Sequence, residues 1–101
     1  MNDLQEAILA FNRERGWGQA HSPRNLATSI SIEAAELLEN FQWQDAPKDM
    51  TNVAEELADV LIYSLNLATV LDLDVTRIVQ DKLAKNALKY PLPKADTKTD
   101  N

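Results

Sequence analysis

The chain has 101 residues, 45% hydrophobic and 26% charged, with 16 acidic against 10 basic side chains and a net charge of −6. That is enough for one domain with one core, and the acidity argues against a phosphate-backbone nucleic-acid binder, which needs a basic stripe. No cysteine, one histidine (His21) and two glycines (Gly16 and Gly18) exclude a disulfide framework, a thiolate nucleophile, a multi-histidine metal centre and a glycine-rich phosphate loop.

The periodicity is helical nearly throughout. Leu4, Ala7, Ile8 and Phe11 recur at helical spacing and predict a first helix over about 3–15, with Asp3 as cap and Gly16 as stop. The stretch GWGQAHS reads as a loop. Ser22 before Pro23 reads as an N-cap and first helical position. A second helix is expected over about 23–42, with Leu26, Ile30, Ala34, Leu37, Leu38 and Phe41 as its apolar stripe. The segment QDAPKD is a connection.

A third helix is expected over about 51–71, capped by Asp49 or Thr51. From Val60 to Leu71 (VLIYSLNLATVL) it is apolar almost all round. Such a helix must be covered on every face, and in so short a chain the natural cover is another subunit. Asp74 can cap a fourth helix over about 75–89, with Val75, Ile78, Val79 and Leu83 as its inner face. Tyr90-Pro91 stops it. The expected architecture is an all-α, four-helix-bundle-type domain over residues 1–93, oligomeric, with a disordered polar tail at 94–101. MNDLQEAIL lacks the basic-then-apolar order of a signal peptide, and no apolar run reaches about 18 residues. A cytoplasmic protein with no membrane partner is therefore expected.

The acidity is concentrated in the two middle helices. Residues 27–81 hold eleven acids against Lys48 and Arg77. Glu33 and Glu36 are three apart on the second helix, with Glu39 beyond them, and Glu56 and Asp59 repeat that spacing on the third. Three residues apart means one helix face, where like charges repel mildly. Each pair borders the apolar stripe, so two consecutive helices can bring four carboxylates together. A hard divalent cation, Mg²⁺ or Mn²⁺, resolves such repulsion, grips phosphate oxygens and acidifies a bound water. A single ExxE taken alone usually marks a solvated face.

The runs WGQAHSPRN, IEAAELLENFQW and EELADVLIY, followed by Lys82-x-x-x-Asn86-x-x-x-Tyr90-Pro91, resemble the MazG-like nucleoside triphosphate pyrophosphohydrolases, and among them the small dCTP pyrophosphatase branch. The resemblance spans about residues 3–92. It implies an all-α fold, assembly as a homodimer or a dimer-of-dimers homotetramer, and Mg²⁺-dependent hydrolysis of a (deoxy)nucleoside triphosphate to the monophosphate and pyrophosphate. It implies Glu33, Glu36, Glu56 and Asp59 as the Mg²⁺ ligands and catalytic carboxylates. Trp17, His21 and Trp43 then match the base-binding region, since an aromatic face can stack on a base. Tyr63, one turn beyond Asp59, can pack on the sugar. Lys82 and Asn86 share one face of the fourth helix and suit phosphate oxygens, with Arg24 as a further candidate.

Two departures bear on the substrate. The loop after Trp43 is shorter than in the animal dCTP-preferring relatives. The first helix offers Leu4, Ile8 and Phe11 to the expected pocket and no polar side chain among them, which predicts weak base discrimination. The expected role is nucleotide-pool cleaning on dCTP or several dNTPs. The alternatives are a non-catalytic helical interaction module and a hydrolase of another phosphoanhydride, such as phosphoribosyl-ATP.

Overall fold

The computed structural model describes residues 3–17 and 21–93; the expected tail lies outside them. The described chain is four α-helices: α1 (Asp3–Glu14), α2 (Pro23–Leu38), α3 (Met50–Val70) and α4 (Val75–Lys89). A 3-10 turn, Glu39–Phe41, extends α2, so the helix expected to reach residue 42 tightens in its last turn. No strand occurs among the described residues.

Side-chain caps fix where the helices begin. The Ser22 hydroxyl accepts from the Asn25 N–H at 3.1 Å, the Asp49 carboxylate from the Thr51 and Asn52 N–H groups, and Asp74 from Arg77 N–H at 3.1 Å. Each such cap contributes about 1 kcal/mol.

Two helices end in the same reverse turn. At α1 the Gly16 N–H bonds Arg13 O and the Trp17 N–H bonds Asn12 O, with Gly16 at φ +64°. At α3 the Asp72 N–H bonds Thr69 O and the Leu73 N–H bonds Ala68 O, with Asp72 at φ +57°. This is the Schellman pattern, which needs one left-handed residue after the helix; glycine supplies it without cost and aspartate tolerates it.

The main packing is α2 against α3, with α1 laid against α3 and α4 touching the rest only marginally. Among the described residues, the fully buried hydrophobic side chains are Leu26 and Ala68 alone. The radius of gyration is 17.8 Å. A compact domain of this length has about 13 Å. Leu57 and Leu61 on α3 and Ile78, Val79 and Leu83 on α4 are all exposed. The expected inner face of α4 therefore has nothing to lie against within one chain. Among the described residues, no helix is long and apolar enough to cross a membrane.

Candidate active site

The α2–α3 packing brings the two acidic motifs together. Oxygens of Glu33, Glu56 and Asp59 lie within 4.8 Å of one another, each on a half-buried residue. Glu36, one turn beyond Glu33 on α2, feels the same cluster, with the charge of Glu56 the strongest influence on it.

The cluster holds protons abnormally well. The Glu33 carboxyl is pushed up to about 7 by partial burial, by a hydrogen bond shared with Glu56, and by the charges of Glu36, Asp59 and Glu56. Glu36 is raised chiefly by the charge of Glu56. Like charges gathered out of water favour the protonated form, and a cation relieves them.

Glu56 is held from one side. The Asp49 N–H donates to Asn40 Oδ1 at 3.2 Å, Asn40 Nδ2 donates to Asn52 Oδ1 at 2.9 Å, and Asn52 Nδ2 donates to Glu56 Oε2 at 3.4 Å. Asn40 is buried, and its carbonyl also accepts from Lys48 N–H and from Gln44 Nε2. One residue thus ties the α2–α3 connection to the acidic cluster. The other Glu56 oxygen, Oε1, is buried and accepts from no N–H or hydroxyl among the described residues, which leaves it only the neighbouring carboxyls. A buried carboxylate oxygen amid two further carboxylates is a fitting donor set for a hard divalent cation.

A cavity of about 460 Å³ adjoins the cluster, sharing Asp59. That is within the range of small-molecule pockets. Ala7, Ile8, Phe11 and Asn12 of α1 line it, with Trp17, His21, and Ile62, Tyr63 and Asn66 of α3. The turn after α1 explains how Trp17 gets there. Gly16 reverses the chain, and Trp17 folds back on Phe11 with ring centroids 5.4 Å apart in an edge-to-face arrangement. Such a contact commonly accompanies this turn. The Arg15 guanidinium covers the Phe11 ring at 3.6 Å, and Trp17 meets His21 at 6.5 Å.

Of the residues singled out in the sequence, Trp17, His21, Tyr63 and Asp59 share this cavity. Trp43 does not line it and is 85% exposed. Arg24 is exposed at the start of α2, Lys82 is exposed on α4, and Asn86 is half-buried there. One expectation is corrected. Leu4 is exposed and does not line the cavity, and α1 does offer it a polar group, Asn12. Asn12 and Asn66 are both buried, with Asn12 Nδ2 donating to Asn66 Oδ1 at 2.8 Å. The signal was present in the sequence: Asn66 interrupts an apolar run, and a buried polar residue is the informative one.

Comparison with known proteins extends these observations. The sequence profile of the MazG-like family matches residues 28–100. The chain is 39% identical to dCTP pyrophosphatase 1 of Rattus norvegicus, over 91% of this chain and 59% of that protein. It is 35% identical to dCTP pyrophosphatase 1 of Homo sapiens, over 90% of this chain and 59% of that protein. It thus spans about three fifths of the length of these relatives. The crystal structure of a pyrophosphatase from Archaeoglobus fulgidus superposes with a TM-score of 0.82 at 43% identity, covering 89% of this chain and 91% of that one.

Proposed function

The chain belongs to the MazG-like family, and from that premise we propose that it is a cation-dependent nucleoside triphosphate pyrophosphohydrolase. The observation that carries this reading is the continuity of two unlike sites. A carboxylate trio within 4.8 Å opens through Asp59 into an aromatic-walled cavity. One end suits a polyphosphate with its counter-ion, the other a base and sugar. The similarity to dCTP pyrophosphatases and to a solved pyrophosphatase supports the same reading.

Glu33, Glu36, Glu56 and Asp59 are the residues that would hold Mg²⁺, or Mn²⁺ in its place. When bound, such a cation neutralises phosphate charge and acidifies a water for attack on phosphorus. The chain itself does the rest. One of these four carboxylates orients or deprotonates the attacking water. Trp17 and His21 flank the base, and Tyr63 packs on the sugar one turn from Asp59. No covalent intermediate is needed, and the products are a nucleoside monophosphate and pyrophosphate. The substrates are dCTP or several dNTPs, and the role is nucleotide-pool cleaning in the cytoplasm.

Assembly belongs to the same proposal. The exposed apolar faces of α3 and α4 and the 17.8 Å radius of gyration fit a protomer completed by one or three further copies. Lys82, Asn86, Arg24 and Trp43 lie away from the cavity within one chain and reach a phosphate or base across such a boundary.

The deciding experiment is a panel of canonical and modified nucleoside triphosphates with Mg²⁺, scored separately for pyrophosphate and orthophosphate. Pyrophosphate from dNTPs supports the proposal. Orthophosphate rejects the α–β cleavage position. Turnover of phosphoribosyl-ATP alone reassigns the substrate. No turnover and no cation binding would indicate a helical interaction module.

A further inference from the structure

The nucleotide reading leaves one buried feature of the cavity unused. Asn12 Nδ2 donates to Asn66 Oδ1 at 2.8 Å, which occupies one polar end of each amide. The other ends, Asn12 Oδ1 and Asn66 Nδ2, have no hydrogen-bond partner among the described residues, and neither is sealed from solvent. Both residues line the cavity, which puts those ends within its reach. Together they offer the cavity one acceptor and one donor, at the end away from Asp59.

Their place along α3 gives the feature direction. Asp59, Ile62, Tyr63 and Asn66 recur at i, i+3, i+4 and i+7 and form one helix face in the cavity. Seven residues of helix rise about 10 Å. Asp59 belongs to the carboxylate cluster, and Asn66 marks the far end. The face therefore runs from the charged site, past an aromatic side chain, to a donor–acceptor pair supplied jointly by α1 and α3.

We propose that the Asn12–Asn66 pair is the base-edge contact of this cavity, taking the Watson–Crick edge of a nucleobase that presents a donor beside an acceptor. Every coding base does so: an amino group beside a ring nitrogen in cytosine and adenine, a carbonyl beside a ring N–H in uracil, thymine and guanine. The two amides can also turn over together. That reversal keeps their mutual hydrogen bond and exchanges the outward donor and acceptor. The pair thus rewards the presence of a base edge and holds it in place without choosing one letter. Such a contact suits an enzyme acting on several nucleotides.

This inference rests on the nucleotide reading above, and its test separates the two. Calorimetry compares hydrolysis-resistant dCTP and dUTP analogues, bridged between the α and β phosphates, with the equally bridged abasic deoxyribose triphosphate. The wild-type chain is expected to bind both base-bearing ligands more tightly than the abasic one. The double variant N12L/N66L is expected to lose about 10–100-fold of that preference for both bases. Its affinity for the abasic ligand and its melting temperature stay in place, because two apolar isosteres replace a matched polar pair. If N12L/N66L does not fold, N66S carries the same comparison. A preference that survives substitution, or an equal loss with the abasic ligand, overturns the inference. Base-dependent binding without pyrophosphate release from any dNTP retires the proposed activity and leaves the base-edge contact standing.

Discussion

Asn52 Nδ2 lies 3.4 Å from Glu56 Oε2, while the opposite oxygen of the same carboxylate is buried with no N–H or hydroxyl donor among the described residues. A carboxylate gripped on one oxygen is oriented on the other. Hydrogen bonds behind a metal ligand typically account for about 10–100-fold in metal affinity. Asn52→Ala is therefore expected to weaken Mn²⁺ binding by about that factor in a calorimetric titration. It also removes the acceptor of buried Asn40, which costs about 1–3 kcal/mol in thermal unfolding. Unchanged cation affinity would sink the orienting role.

The acidic cluster itself should separate activity from stability. Glu56→Gln and Asp59→Asn are expected to lower pyrophosphate release by about 10²–10³-fold, the usual cost of removing one preorganised electrostatic group. Each also deletes a like charge from a crowded site, so the melting temperature without added cation should hold or rise. A fall in both quantities together would point to a structural role instead.

The pH dependence has a defined sign. The Glu33 carboxyl is raised to about 7 from its ordinary 4.5, so the folded chain binds that proton more tightly than the unfolded chain does. Its contribution to stability is complete below the ordinary value and is lost as pH rises through about 7. Chelator-treated protein should therefore melt lower near pH 8 than near pH 6. A divalent cation should flatten that slope, because it replaces the proton at the higher pH. Melting curves at the two pH values, with chelator and with Mg²⁺, measure both effects.

The reverse turn after α1 predicts a change outside the carboxylate cluster. Gly16 adopts φ +64°, and a β-carbon there would meet no atom within 4 Å. Gly16→Ala therefore imposes only backbone strain, about 1–2 kcal/mol. Part of that strain is relieved by opening the turn that returns Trp17 to Phe11. The expected result is a lower melting temperature and a KM for dNTPs raised about 3–10-fold, the loss of a fraction of one base–aromatic stack. The kcat should be nearly unchanged, since Gly16 is not among the carboxylate cluster and acts on it only through Trp17. Asp72→Gly at the matching turn of α3 should instead stabilise, as it relieves the strain at φ +57°.

Helix boundaries were readable because each has a local chemical cause: Ser22, Asp49 and Asp74 cap, and Gly16 stops. The carboxylate cluster was readable for a related reason, since spacing on two consecutive helices sets its faces. What periodicity hid was polar and wholly or partly buried. Asn12, Asn40, Asn52 and Asn66 carry no charge, so they form no acidic or basic pattern. Their meaning depends on a partner between 12 and 54 residues away in the chain. The position of α4 was hidden for another reason: its apolar stripe is clear, but one chain offers it no surface.

That loosely held fourth helix and the sparse interior have a consequence for how the protein behaves at different abundances. With Leu26 and Ala68 as the fully buried hydrophobics among the described residues, little holds an isolated chain together. On the proposed assembly, folding and association become one equilibrium governed by mass action. Dilution then unfolds the protein as heat does, and its melting temperature climbs with protomer concentration. Specific activity ceases to be a constant and rises with the amount of enzyme, so a modest drop in synthesis removes more catalysis than protein.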